Sequence, residues 1–326
     1  MLRGFQGEKT ARAGGGAVLL GLLSSVFFSV TYVLNNLMAD AGGSWLWSAS
    51  LRFLIMFPIL LLLVLLRGTL GRTLAAIRRA PGRWMVWSTV GFGLFYAPLT
   101  FASAYGPSWL VAGTFQFTIF AGALLTPLFW TVRDTPAGPL RQRGKVPVRL
   151  FPAFAVILAG VFLLQVDHFQ KTDPLTVVLF AIPVLVSAFA YPLGNRKMME
   201  LCGGELGVIE RVFGMDLCSL PFFLVLAAAA GATAGAPSLG QLLQSAVVAL
   251  SSGIVATLVF FYATQLVREN PQQLALVEST QCGEVVFSLL GGILLLHNAL
   301  PSPVAALGLV LIVAGMAANS LLSAKR

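Results

Sequence analysis

An all-α integral membrane protein, with ten transmembrane helices in two inverted five-helix repeats, is the fold class that this 326-residue sequence predicts. Three observations carry the prediction. Hydrophobic residues make up 57% of the chain and charged residues only 10%, the basic residues gather in alternate loops, and the chain matches itself sparsely near an offset of 159 positions. A water-soluble chain is about 45–50% apolar and about 25% charged. Too few charges exist here to coat two soluble domains. The same balance, with a mean hydropathy of +0.87, excludes a disordered chain and a coiled coil. Three cysteines, Cys202, Cys218 and Cys282, form no even disulfide framework and show no metal-ligand spacing.

A helix needs about 20 apolar residues to cross the roughly 30 Å hydrocarbon core. Ten runs approach that length: 17–39, 45–66, 84–105, 108–131, 150–166, 175–193, 207–229, 245–267, 272–296 and 302–323, of which the fifth and sixth are the shortest. Residues 1–16 read as a cytoplasmic tail, 17–166 as the first five-helix repeat and 175–323 as the second. The first run exceeds the usual length of a signal-peptide core. It therefore reads as an uncleaved anchor, although Ala39-Asp40-Ala41 looks like a cleavage site.

Orientation follows from the loops. The N-terminus, the 67–83 and 132–149 loops, Arg196, Lys197, Arg268, Lys325 and Arg326 hold all but three of the 21 basic residues. Lys171 falls on the other side, and Arg52 and Arg211 lie inside spans. The positive-inside rule then puts both termini in the cytoplasm. The net charge of +9 is accounted for by topology, and no nucleic-acid partner is expected.

At offset 159, Tyr32 falls on Tyr191, Leu34 on Leu193, Asn36 on Asn195 and Arg52 on Arg211. Near offset 164, Pro107 falls on Pro271. Five spans per copy is an odd number, so the second copy enters the bilayer upside down. Inverted repeats with a substrate site near the midplane are an architecture of secondary transporters.

Ionisable groups at mid-membrane cost roughly 2.5–3.5 kcal/mol on insertion scales and normally face a bundle interior. The ninth span carries Glu278 and Glu284. On one continuous helix Gln281 falls between them and Ser288 shares their sector, with Leu276, Phe287 and Leu290 opposite. A carboxylate enclosed at that depth can load and release a proton or meet a cation. Asp216 lies deep in the seventh span, and Gln116, Tyr32 and Asn36 are placed to line the same cavity. These seven residues are the expected substrate or proton site. Arg52, Arg211 and Glu210 are expected to form structural ion pairs. Arg52 also has the chemistry to hold an anionic substrate. Trp45, Trp47, Trp84 and Trp109 sit near span ends and read as interfacial belt residues.

The stretches Gly42-Gly43-Ser-Trp-Leu-Trp-Ser-Ala-Ser-Leu-Arg52, Gly91-Phe-Gly-Leu-Phe-Tyr-Ala-Pro-Leu-Thr-Phe101, Ala190-Tyr-Pro-Leu-Gly-Asn-Arg-Lys-Met-Met199 and Val277-Glu-Ser-Thr-Gln-Cys-Gly-Glu284 are distinctive. In these the sequence resembles the putative multidrug resistance efflux transporter family of the drug/metabolite transporter superfamily. The resemblance covers nearly the whole chain. It implies ten helices in two inverted halves and export of small molecules across the bacterial cytoplasmic membrane. The small four-helix drug exporters of the superfamily use a glutamate in their first helix. Here the first span has no acid before Asp40, so any proton-coupled carboxylate has to be another one, Glu278 or Glu284.

No Walker A pattern appears, which argues against an ATP-driven pump. A passive channel or lipid scramblase is one alternative. An intramembrane hydrolase using Ser108 and His297 is another. Neither cofactor nor metal is expected. The expected partners are a small-molecule substrate and the lipid bilayer, with the chain acting as a monomer or homodimer.

Overall fold

The computed structural model describes residues 2–135, 138–267, 273, 276, 277 and 279–324. They form an almost wholly helical bundle. Helix α1 (Leu2–Asp40) is unbroken, so the expected N-terminal tail continues it backwards. Helix α2 covers Trp45–Leu66 and α3 covers Leu70–Arg79, a short helix inside the expected 67–83 loop. The third span is composite: α4 (Pro81–Ser88), a π-helical turn over Thr89–Gly93, and α5 (Leu94–Ala102). The fourth is broken into α6 (Ser108–Phe115) and α7 (Phe117–Leu124), with Gln116 at the break.

Helices α8 (Phe151–Lys171), α9 (Pro174–Cys202) and α10 (Val208–Ala234) follow. The eighth span repeats the composite form: α11 (Leu239–Val248), a π-helical stretch over Ala249–Ala256, and α12 (Thr257–Leu266). Helices α13 (Cys282–Leu296) and α14 (Pro303–Ala324) complete the bundle.

Local chemistry sets the ends. The Asp173 carboxylate accepts from the Thr176 backbone N–H at 3.0 Å and caps α9. These Thr176 hydrogen bonds hold the exposed Asp173 carboxyl below the usual carboxylate range. Gly203 ends the same helix with φ 54°, a left-handed conformation that suits glycine. Ser238 caps α11 by accepting from the Gln241 N–H at 3.1 Å.

Among the described residues, seven helical stretches are long and apolar enough to cross a membrane: Gly15–Asp40, Trp45–Leu66, Pro81–Ala102, Val148–Gln170, Pro174–Cys202, Val208–Ala234 and Leu239–Leu266. The stretches Ser108–Leu124, Cys282–Leu296 and Pro303–Asn319 are shorter apolar helices. This differs from the ten runs expected. The apolar run 108–131 does not stay helical to its end, because the chain turns after Leu124. In the run 272–296, Thr280 and Gln281 form a turn before α13 starts at Cys282. The continuous-helix geometry expected there is interrupted at the polar residues themselves. The sixth span, expected among the shortest, is a 29-residue helix. It passes through Arg196, Lys197 and Glu200 because charged side chains do not stop a helix, and it ends only at Gly203.

The expected loop 132–149 overlaps an antiparallel pair of strands, β1 (Trp130–Thr135) and β2 (Gly138–Arg143), with Trp130 opposite Arg143. Its base is tied to α9. The Trp130 N–H donates to Glu200 Oε1 at 2.7 Å, and Lys197 Nζ donates to the Leu128 carbonyl at 2.6 Å.

Bare backbone closes two seams. Gly91 in the first π turn touches Gly194 of α9, and Gly160 of α8 lies against Gly308 of α14. A Cβ on Gly308 would fall 2.8 Å from the Gly160 carbonyl oxygen. Small residues at such crossings let helices approach closely in lipid. Helix α2 packs on α10, where Phe53 stacks on Phe223 with ring centroids 4.0 Å apart. Large apolar side chains such as Leu19, Leu66, Val225, Leu294 and Val310 point outward, as a lipid-facing surface requires. Trp84 and Trp109 are buried and do not form a belt. The Trp84 ring fills the space left by Gly214 on α10.

Candidate functional site

The bundle encloses a cavity between α1, α2, α5, α9, the second π stretch and the start of α13. Its free volume is about 50 Å³, room for a few waters and well below the roughly 300–1,000 Å³ of drug-sized sites. Admitting a substrate therefore requires the helices to move.

An acidic side chain lines the cavity. Glu284 sits in the first turn of α13 and is 5% exposed. The Tyr32 hydroxyl, from the C-terminal part of α1, donates to Glu284 Oε2 at 3.1 Å. The turn at Thr280–Gln281 produces this placement, since it starts a new helix whose unpaired N–H groups and dipole lie beside the carboxylate. Gln281 also lines the cavity. The structure thus brings together Glu284, Gln281 and Tyr32 from the expected set. Glu278 lies outside the described residues.

A basic side chain lines the cavity as well. Arg52 from α2 is 5% exposed and lines the cavity. Its Nη1 donates to Thr31 Oγ1 at 3.3 Å, and Thr31 donates in turn to Ser252 in the second π stretch. The guanidinium lies 4.2 Å from the Tyr96 ring centroid, a cation–π contact. Among the described residues no carboxylate lies within 4.0 Å of Arg52, so the expected ion pair is not formed by direct contact.

Aromatic rings also line the cavity. Phe95 lies 4.8 Å from Tyr191 and 5.5 Å from Phe115, and Phe115 lies 6.5 Å from Tyr32, ring centre to ring centre.

Other expected residues stand apart from the cavity lining. Gln116 is buried at the break between α6 and α7, where its Nε2 donates to the Ala112 carbonyl at 3.3 Å. Asn36 donates to the Ser103 carbonyl at 3.3 Å and accepts from Asn298 Nδ2 at 3.4 Å. Asp216 is fully buried on α10, within electrostatic range of Arg52, and neither carboxylate oxygen has a hydrogen-bond partner among the described residues. Glu210 is buried and meets the exposed Arg67 at 3.5 Å. Arg211 lies over the Phe261 ring at 4.8 Å. The Ser108 hydroxyl donates to the Ser288 carbonyl at 3.1 Å, whereas His297 ends α13 with φ 51°.

Sequence reasoning missed Thr31, Ser252, Tyr191 and Asn195 as cavity residues. The repeat offers a signal for two of them, because it superposes Tyr191 on Tyr32 and Asn195 on Asn36. Among the described residues, no three His, Cys, Asp or Glu side chains cluster as metal ligands would.

Apolar helices around an enclosed, partly charged cavity define a multi-pass membrane protein. The chain belongs to the EmrE family, described as putative multidrug resistance efflux transporter, whose family model matches residues 16–325. It is 50% identical over 310 residues to the uncharacterized protein YjlA of Bacillus subtilis (strain 168), covering 95% of this chain and 96% of that one. An uncharacterized 42.1 kDa protein in the intracellular alkaline protease 3'region of Shouchella clausii is 49% identical over 269 residues, covering 82% of this chain and 70% of that protein. A chain of known crystal structure aligns at TM-score 0.62 and 17% identity, covering 96% of this chain and 99% of its own, a likeness of fold alone.

Proposed function

We propose that this protein is a secondary-active exporter of small molecules, working by alternating access and coupled to protons at Glu284. The observation that carries this reading is the Tyr32–Glu284 hydrogen bond, a carboxylate enclosed in a central cavity and held by a residue 252 positions away. Protonating Glu284 removes the charge that Tyr32 holds and so loosens the link between α1 and α13. Gln281 extends the site. Asp216, Gln116 and Asn36 act around it.

Alternating access needs two halves that can exchange conformations. Ten spans in two inverted repeats, 17–166 and 175–323, would supply them. The contacts support this arrangement. Helix α5 packs on α9 much as the eighth span packs on α1, and α6 and α7 pack on α9 much as α13 packs on α1. The π turns at Thr89–Gly93 and Ala249–Ala256 fall in corresponding spans, and Gln116 and Gln281 both mark interruptions. A π turn leaves hydrogen bonds shifted in register and is a frequent feature of functional helices. Here the second one carries Ser252 and Gly253 of the cavity wall. The basic loops orient the protein with both termini in the cytoplasm, in the bacterial cytoplasmic membrane, as a monomer or homodimer.

The test is flux in proteoliposomes, using a panel of cationic drugs, amino acids and organic anions, with and without an imposed pH gradient. Wild type should move at least one of them faster with the gradient, and Glu284→Gln should abolish that acceleration while eluting as folded protein. Gradient-independent, non-saturating flux would replace the exporter with a passive pore.

A further inference from the structure

Arg52 lines the cavity as a buried cation with no carboxylate within 4.0 Å among the described residues. A guanidinium stays ionised in proteins and presents five N–H donors in a rigid fork. Burying such a charge is costly unless it is paired. Here Nη1 reaches a threonine hydroxyl, and Nε has no hydrogen-bond partner among the described residues. The rings of Tyr96 and Phe53 face the cation at 4.2 and 5.6 Å, which orients it without neutralising it. Asp216 is near enough to act on Arg52 electrostatically, but it makes no hydrogen bond to it and does not line the cavity. Glu284, the carboxylate that does line the cavity among the described residues, is engaged by Tyr32.

The Arg52 fork, set into an aromatic cavity wall with its Nε unpartnered among the described residues, leads us to propose that Arg52 binds the head group of the transported molecule, an organic oxyanion with an apolar or aromatic body. The inference rests on the exporter reading and narrows its substrate class. A carboxylate or phosphoryl group accepts two parallel N–H bonds from such a fork. The body of the molecule then lies against Phe53, Phe92, Phe95 and Phe115, which supply apolar burial and ring contact. An organic cation would meet the fixed positive charge of Arg52, whereas protonation of Glu284 leaves an anion no repelling charge among the described lining residues. The Thr31–Ser252 link ties Arg52 to the second π stretch, so an anion that draws the guanidinium away from Thr31 also disturbs the contact between α1 and the eighth span.

The experiment is equilibrium binding of benzoate, phenylphosphonate and tetraphenylphosphonium to purified wild-type protein in detergent micelles. At least one of the two anions should bind, with the better one reporting whether the head group is a carboxylate or a phosphoryl, and tetraphenylphosphonium should bind at least about tenfold more weakly. Arg52→Gln should weaken the anion by about tenfold or more, with Arg52→Lys between. Tighter binding of tetraphenylphosphonium than of either anion, or an anion affinity unchanged in Arg52→Gln, overturns the assignment. If Arg52→Gln does not fold, phenylglyoxal labelling of wild type decides. Anion-protected modification of Arg52 supports the site, and unprotected modification or none counts against it. Failure of the exporter reading shows separately, as a bound anion that wild-type proteoliposomes do not transport.

Discussion

Replacing Gly194 with valine attacks the seam between α9 and the π turn at Thr89–Gly93. A Cβ at Gly194 would overlap the Gly91 Cα and N and would lie 3.0 Å from the Trp87 carbonyl oxygen. Carbon atoms prefer separations of about 3.5–4.0 Å. All the opposing atoms are backbone, so no rotamer change relieves the overlap. The two helices have to part by about 1 Å or more, and overpacking of this kind costs about 1–3 kcal/mol. The same movement separates Phe95 from Tyr191, now 4.8 Å apart across the cavity wall. Thermal unfolding in detergent, followed by loss of the monodisperse elution peak, should show a midpoint several degrees below wild type. Gly82→Ala is the matched control. A Cβ there meets nothing within 4 Å, and alanine is the better helix former, so its midpoint should be unchanged or higher. A Gly194→Val protein as stable as the Gly82→Ala control would refute the backbone contact.

Further outcomes are expected elsewhere. Tyr32→Phe removes the hydroxyl that meets Glu284 while keeping the ring, and should slow gradient-driven flux with little loss of folded protein; flux equal to wild type would separate Tyr32 from the coupling step. Arg67→Ala leaves the buried Glu210 without its partner. Because Arg67 is largely exposed and screened by water, the loss should be about 1 kcal/mol, read as a lower midpoint that Arg67→Lys restores in part. Asp173→Ala removes the cap of α9 and should lower the midpoint at neutral pH. The folded Asp173 holds its proton less tightly than an unfolded aspartate, so its stabilisation is present above the ordinary carboxylate range and disappears as the pH falls through the folded value. The gap between wild type and Asp173→Ala should therefore close in acid, and a gap that widens there would contradict the capping role.

Composition was enough to read a helical membrane protein, because hydropathy is summed over whole spans and tolerates local error. It did not reveal where the hydrogen-bond ladder breaks. The interruptions at Gln116 and at Thr280–Gln281 lie within apolar runs, and only the folded backbone shows them. The extension of α9 past Arg196 was hidden because the run of apolar residues ends before the helix does. Trp84 illustrates a different limit. Its position near a span end suggests the interface, yet its surroundings are set by the missing side chain of Gly214 on a helix distant in sequence. Within the candidate site, Tyr32 and Glu284 were each visible as rare polar groups in apolar runs. Their contact was not, because nothing in a single chain reports which helix faces meet. The buried fork of Arg52 was also out of reach, since the sequence holds enough carboxylates to pair it and only geometry shows that none reaches it directly among the described residues.

Alternating access through the Tyr32–Glu284 cavity is tested most directly by accessibility at Ser252. The three native cysteines, Cys202, Cys218 and Cys282, are free and would first be replaced by serine. Ser252→Cys would then be labelled with a membrane-impermeant thiol reagent, added from one face of oriented proteoliposomes and then from the other. The account predicts modification from either face, with an imposed pH gradient shifting the balance between them. Labelling confined to one face under every condition would contradict it.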